Sequence, residues 1–122
     1  MMAKVIVAGT RTFNDYDFLK VTLDNLLAGL QNIEIVSGGA RGADSLGELY
    51  AMEKGYKITR FPADWNRYGK SAGYIRNEEM AKYADKCVVF WDGESRGSLH
   101  MINLAQKYNL DLYVIRYKEM KK

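Results

Sequence analysis

Five short apolar runs alternate with four segments of helical period along this chain, and few folds accommodate that order. Val5-Ile6-Val7-Ala8 is apolar throughout, as a strand covered on both faces of a parallel sheet must be. Between about Asp15 and Leu30, the residues Leu19, Leu23, Leu26, Leu27 and Leu30 fall at helical spacing. Asn14 is the expected N-cap, and Phe13 with Phe18 has the spacing of a hydrophobic staple. The second strand is Ile33 to Val36. A helix from about Ala43 to Lys54 is expected to bury Leu46, Leu49 and Tyr50 and to stop at Gly55. The third strand, near Lys57 to Phe61, ends at Pro62, and a polar stretch from Ala63 to Gly73 leads into a helix from about Tyr74 to Tyr83. A strand from Cys87 to Trp91, a helix from about Ser98 to Tyr108 and a strand from Leu112 to Ile115 complete the series. The expectation is an α/β fold: a Rossmann-like three-layer sandwich, with a five-stranded parallel sheet, helices on both faces and right-handed crossovers. A length of 122 residues suits one domain, residues 1–122, with one real core.

Charge and composition narrow the class further. A net charge of +3 permits an anionic partner without demanding one, and dedicated DNA-binding domains are usually more basic. No apolar run approaches membrane-spanning length, and the N-terminus lacks a signal-peptide pattern. The single cysteine, Cys87, lies in an apolar strand and cannot form an internal disulfide, which suits a reducing cytoplasm. One histidine and one cysteine do not make a conventional zinc site, so no metal is expected.

Open parallel sheets bind ligands beyond the carboxyl ends of their strands. The unusual residues of this chain gather there: Gly9-Thr10-Arg11 after the first strand, "SGGARGAD" (Ser37 to Asp44) after the second, Ala63 to Lys70 after the third and Asp92 to Ser98 after the fourth. The turns that follow the helices carry nothing comparable. Three glycines within "GGARG" are an entropic cost. Gly38 and Gly39 would bring backbone against a ligand, Gly42 would hold the second helix close to the sheet, and Arg41 would face a phosphate or solvent. A tight turn with a cap is the alternative for the whole segment.

A helix N-terminus offers free N–H groups and a positive dipole end to a phosphate. The last helix begins Arg96-Gly97-Ser98 with no acid in its first turn, whereas the second begins Gly42-Ala43-Asp44, whose own carboxylate would repel an anion. The phosphate therefore belongs at the last helix, and Asp44 is a cap or an acceptor for ribose hydroxyls. Arg11 meets either an anion or a surface ion pair. Trp65 and Tyr68 stack on a nucleobase or form a lid over the core, and Asp64 turns the chain as a cap. No G-x-x-x-x-G-K-[ST] occurs, which argues against a P-loop NTPase.

The segments "VAGTRTF", "SGGARGAD", "FPADWNRYGKSAGYIRNEEM" and "FWDGESRGSLHM" together resemble the SLOG superfamily of Rossmann-like domains, in the branch of small bacterial and phage proteins related to YspA and YpsA. The likeness runs from about Lys4 to Ala105. That superfamily includes LOG-type phosphoribohydrolases, which release a base from a nucleoside 5′-monophosphate, and DprA-type DNA-processing proteins. For this branch it implies sensing or processing of nucleotide-derived ligands. Arg76, followed by Asn77, matches an arginine that LOG-like motifs use at the substrate; pairing along the helix with Glu79, or packing by Met80, is the alternative. Where LOG enzymes carry a catalytic glutamate, this chain has Met101, which cannot move a proton. Glu78, Glu79 and His100 are the remaining candidates for acid–base work, with exposed surface as the ordinary fate of His100.

These readings converge on a binding protein for a nucleotide or nucleotide-derived ligand that needs no further cofactor. The alternatives are N-glycosidic cleavage of the LOG type, for which catalysis finds no support in the residues, and DprA-like nucleic-acid binding, weakly favoured by the lysines of the C-terminal tail. No membrane partner is expected, and the resemblance leaves room for a homo-oligomer.

Overall fold

In the computed structural model, which describes residues 3–117, the first apolar run becomes the central strand of the sheet. β1 (Ala3–Gly9) pairs with β2 (Ile33–Ser37) on one side and with β4 (Lys86–Trp91) on the other. β3 (Lys57–Arg60) and β5 (Asp111–Arg116) form the edges, so the order is β3-β2-β1-β4-β5 with every pair parallel. This is the expected α/β Rossmann-like architecture. The helices are α1 (Tyr16–Leu26), α2 (Ala43–Lys54), the single turn α3 (Trp65–Tyr68), α4 (Ala72–Tyr83) and α5 (Arg96–Lys107), with a 3-10 turn, Gly69–Ser71, between α3 and α4.

Alternate residues of the central strands point into different layers. Val5, Val7, Ile35, Val88 and Phe90 pack with Leu19, Leu23 and Tyr50 of α1 and α2. Ile6, Val36, Cys87 and Val89 pack with Met80, Met101 and Ala105 of α4 and α5. Leu19 and Leu23 are wholly buried, which contributes about 1.5–3 kcal/mol apiece. Cys87 is a buried free thiol, and burial pushes its pKa up to about 12, so it serves as core. Gly47, not Gly42, lets α2 approach the sheet: a Cβ there would stand 2.7 Å from Val7.

Several local expectations need correction. Asp15, not Asn14, caps α1 by accepting from the Phe18 amide at 3.1 Å, and the helix ends at Leu26, leaving Leu30 outside it. The Phe13 and Phe18 rings still meet edge to face, 6.4 Å apart. Leu46 and Leu49 are only half-buried on α2, although Tyr50 is buried and Gly55 closes the helix with a left-handed φ of 74°. β3 stops one residue short of Phe61, and α4 starts at Ala72 rather than Tyr74. The polar stretch before α4 holds α3, capped by Asp64, whose carboxylate accepts from the Arg67 amide at 3.2 Å.

Glu34, the one charged residue of the second apolar run, is buried. Burial pushes its pKa up, but hydrogen bonds from Tyr83 and from Thr59 at 2.7 Å, with Lys57 at 3.7 Å, outweigh that and hold it below its ordinary value. No helix among the described residues is long and apolar enough to cross a membrane. Lys118, Lys121 and Lys122 of the basic tail lie outside the described residues.

The chain moves outward from β1 through β2 to β3, then returns to β4 on the far side of β1. That reversal opens a crevice between the loops that leave β1 and β4.

Candidate functional site

The crevice is built first by backbone. Gly9 lies against Phe90 so closely that a Cβ would stand 2.1 Å from the Phe90 carbonyl oxygen. That approach lets the Thr10 amide donate to the same carbonyl at 2.9 Å, while the buried Thr10 hydroxyl accepts from the Asp92 amide at 3.1 Å. The loops after β1 and β4 are thereby pinned together. The Thr10 carbonyl accepts from the Ala43 amide at 3.3 Å, which brings in the loop after β2. Gly42 makes that contact feasible: its φ of 77° suits glycine, and a Cβ would stand 2.3 Å from the Thr10 oxygen.

The "SGGARGAD" segment is held by its own Ser37 and Asp44 and by Glu48 and Arg76 from the neighbouring helices. Ser37 is fully buried, its hydroxyl donating to Glu48 at 2.6 Å and accepting from the Gly39 amide at 3.0 Å. It braces the loop and lines neither cavity described below. Asp44 does not cap α2, whose N-cap, Gly42, has no side chain to offer. Its carboxylate instead reaches back to the Ala40 amide at 3.3 Å. Arg76 folds down from α4, donating from Nη1 to the Gly38 carbonyl and from Nε to Asn77 Oδ1 at 3.0 Å. Gly38 is a glycine because these groups cover it: a Cβ would stand 2.6 Å from Arg76 Nη1 and 2.9 Å from Asp44 Oδ2.

Asp92 shapes the entry to α5 by accepting from the amides of Glu94 at 2.8 Å and Ser95 at 2.9 Å. Burial raises its pKa, but those bonds outweigh it and keep the carboxylate below its ordinary range. Ser95 is the N-cap, accepting from the Ser98 amide at 3.3 Å. The Ser98 hydroxyl turns toward Ser95 as well, at 3.1 Å. Next to them, Gly97 is open: beyond its own helix and chain neighbours, no heavy atom lies within 4 Å of where its Cβ would stand.

Two larger cavities result, and a third of about 250 Å³ lies beside them, lined by Trp65, Tyr74, Asn77 and Gly97. The first, about 420 Å³, is walled by Gly9, Thr10, Asp44 and Asn77 on one side and by Gly97 and Ser98 on the other, with Met80 and Met101 beneath. The second, about 600 Å³, lies between Gly38, Gly39, Arg41 and the segment containing Pro62 and Trp65. Arg11 and Arg76 border both. Arg11 makes no ion pair among the described residues, so the surface-pair alternative does not hold for it, and Arg76 makes none with Glu79 but donates to the Gly38 carbonyl.

Other candidates lie elsewhere. Arg96 is exposed and lines neither cavity, and Arg41 reaches only the second. Trp65 is 53% exposed at the second cavity, so it is no lid over the core, and the exposed Tyr68 ring lies beneath Arg67. Glu79 is exposed, and Glu78 is engaged by Tyr108 at 2.7 Å and Lys107 at 3.6 Å. His100 is half-buried rather than exposed, its ring edge-on to Tyr74 and its Nδ1 3.3 Å from Asn77 Nδ2. Burial draws its pKa below the ordinary value. Neither Glu79 nor His100 lines the cavities. No group of three His, Cys, Asp or Glu side chains suited to a metal ion occurs among the described residues. Sequence reasoning gave no role to Asp92 and Ser95, which line the first cavity. An Asp-Gly turn followed by a serine was the available signal.

The chemistry of Asp44 gives a testable slope. Burial pushes its carboxyl up from 3.8 to about 6, against the pull of the Ala40 amide and the Arg76 charge. The folded state then holds a proton that the unfolded state has released, so stability falls as pH rises from about 4 to about 6. At 1.36 kcal/mol per pKa unit the full fall is about 3 kcal/mol. Asp44→Asn removes this slope: in urea titrations its stability relative to the parent improves by about 3 kcal/mol between pH 4 and pH 7. Parallel pH profiles for the two proteins contradict this.

Comparison with known proteins places the chain among relatives. The model of the YspA, cpYpsA-related SLOG family matches residues 3–68. The Gene 61 protein of Mycobacterium phage D29 is 36% identical over 113 residues, an alignment covering 87% of this chain and 90% of that protein. Among solved structures, DNA processing protein A of Streptococcus pneumoniae superposes with a TM-score of 0.74 at 20% identity, over 98% of this chain and 52% of that one. DNA processing protein A of Helicobacter pylori, from work on that protein's single-stranded DNA binding mode, gives 0.73 at 23% identity, over 98% and 68%. This chain thus spans about half of the pneumococcal protein.

Proposed function

This chain belongs to the YspA, cpYpsA-related SLOG family, and from that we propose that it binds a nucleotide or nucleotide-derived ligand at the carboxyl edge of its sheet. The phosphate sits at the first turn of α5, over the Gly97 backbone, with Arg11 and Arg76 supplying positive charge. The ribose hydroxyls face Asp44 and Asn77.

One observation carries this reading. Gly9, Gly38 and Gly42 are each explained by protein atoms that a Cβ would strike, but Gly97 is not. Its φ is ordinary and its neighbourhood is empty, so no backbone conformation or close contact calls for glycine, a residue that costs up to about 0.5–1 kcal/mol relative to alanine in a helix interior. A costly residue that the fold does not require, at a helix N-terminus bordering a cavity, fits an anion approaching the backbone. Calorimetric titration with nucleoside 5′-monophosphates tests it. Saturable binding supports the reading, and no binding by any of them sinks it.

Binding without cleavage is the preferred form. Met101 is buried beneath the first cavity, and the side chains suited to acid–base work lie outside it, apart from Asp44 and the amide-bonded Asp92. A second reading, nucleic-acid binding, draws on the likeness to DNA processing protein A and on exposed Trp65, Tyr68 and Tyr74 beside several arginines. Its signature is affinity that falls steeply with salt.

A further inference from the structure

Arg11 and Arg76 border both cavities and so stand at the waist between them. The two guanidinium groups act on each other: the charge of Arg11, after burial, disfavours the charged form of Arg76. Asp44 is the one carboxylate set against Arg76, and no acid among the described residues pairs with Arg11. The waist therefore carries positive charge that the protein leaves uncompensated.

The cavities on either side differ in character. The first offers hydrogen-bonding groups, Asp44, Asn77 and Ser98, above a floor of two methionines. The second offers Pro62, Ala63 and the half-exposed indole of Trp65, a surface suited to a flat ring. Arg60 at its rim is already paired with Glu48 at 2.8 Å, which leaves Arg41, together with Arg11 of the waist, without an ion pair among the described residues. At about 420 and 600 Å³, each cavity alone lies in the size range of small-molecule sites, roughly 300–1,000 Å³. A mononucleotide fills one of them and leaves the other empty.

We propose that the occupant is a small molecule of two nucleosides joined through a phosphate bridge, with the bridge between Arg11 and Arg76 and one nucleoside in each cavity. This rests on the nucleotide reading above and adds the second cavity and the waist to it. The Trp65 indole stacks on the second base, and Arg41 closes the far rim.

Calorimetry on the full chain at fixed salt tests the inference with three probes: adenosine 5′-monophosphate, diadenosine pyrophosphate and a ten-residue oligothymidylate. The dinucleotide is expected to bind at least about tenfold more tightly than the monophosphate, the size of one base–aromatic stack. Trp65→Ala, shown by an unchanged melting temperature to fold, brings the ratio of the two affinities close to one. Equal affinity for monophosphate and dinucleotide overturns the inference and leaves the nucleotide reading standing, as does a gain that survives Trp65→Ala. Tighter binding of the oligothymidylate than of the dinucleotide overturns it in favour of a strand. Binding of none of the three, nor of any other nucleoside 5′-monophosphate, removes both readings.

Discussion

Gly9→Ala leaves the chain barely folded, with a loss of about 3 kcal/mol or more in urea titrations. The reason lies in the middle of the sheet. Gly9 pairs with Phe90 across the two central strands, and a Cβ would stand 2.1 Å from the Phe90 carbonyl oxygen, 2.9 Å from its carbonyl carbon and 2.9 Å from its nitrogen. Those atoms are backbone and cannot swing aside as a side chain would. Relief requires β1 and β4 to separate at their carboxyl ends, which breaks the Thr10 amide bond to Phe90 and the Thr10 hydroxyl bond to Asp92. Phe90 is also wholly buried, stacked on Phe13 at 5.1 Å, so its movement disturbs the core. Native domains hold only about 5–15 kcal/mol in total, and one such contact is a large part of that. A Gly9→Ala protein within about 1 kcal/mol of the parent contradicts this account of the crevice.

Arg76→Ala is expected to weaken nucleotide binding about a hundredfold, the largest loss of any single change at the site. Three effects coincide at this side chain. It borders both cavities, it donates to the Gly38 carbonyl, and it is the cation facing buried Asp44. Its removal takes positive charge from the ligand, frees the loop after β2, and lets burial push Asp44 higher still. The pH at which stability falls then moves upward from about 6. Arg76→Lys does not restore binding, because one ammonium cannot span the Gly38 oxygen and Asn77 Oδ1 as the planar fork does. Equilibrium binding at fixed salt checks the loss. Affinity within about threefold of the parent shows that Arg76 braces the loop and does not meet the ligand.

The fold was legible because its signals are local. Apolar runs such as Val5-Ile6-Val7 and leucines at helical spacing state the layer they belong to, and strand order follows from the alternation. Boundaries were less clear where two residues offer the same chemistry. Asn14 and Asp15 can each cap a helix, as can Ser95 and Ser98, and the choice rests on which carboxylate or hydroxyl reaches an amide two or three positions on. The turn α3 buries nothing, so no hydrophobic period announces it.

The site was legible as a location and less so as a set of roles. All four loops at the carboxyl edge contribute to the two cavities, as their glycines and arginines suggested. Individual assignments failed where the deciding contact is distant in sequence. Gly38 borders the second cavity, but Arg76, 38 residues away, covers part of the space above it. The sequence names no partner for Ser37, whose hydroxyl Glu48 claims from α2. Arg96 is exposed and lines neither cavity, although it opens the same helix as Gly97. Gly97 is left open, because beyond its own helix and chain neighbours nothing comes within 4 Å of where its Cβ would stand.

The most direct measurement pairs stability with affinity in one variant, Gly97→Ala. A methyl group placed in open space at a helical position leaves the urea midpoint unchanged or raises stability by about 0.5–1 kcal/mol. In the same protein it obstructs an anion that must touch the backbone, so calorimetric affinity for nucleoside 5′-monophosphates falls about tenfold or more. A variant that is equally or more stable and binds far more weakly is the predicted result. One that binds as tightly as the parent contradicts a phosphate at the first turn of α5.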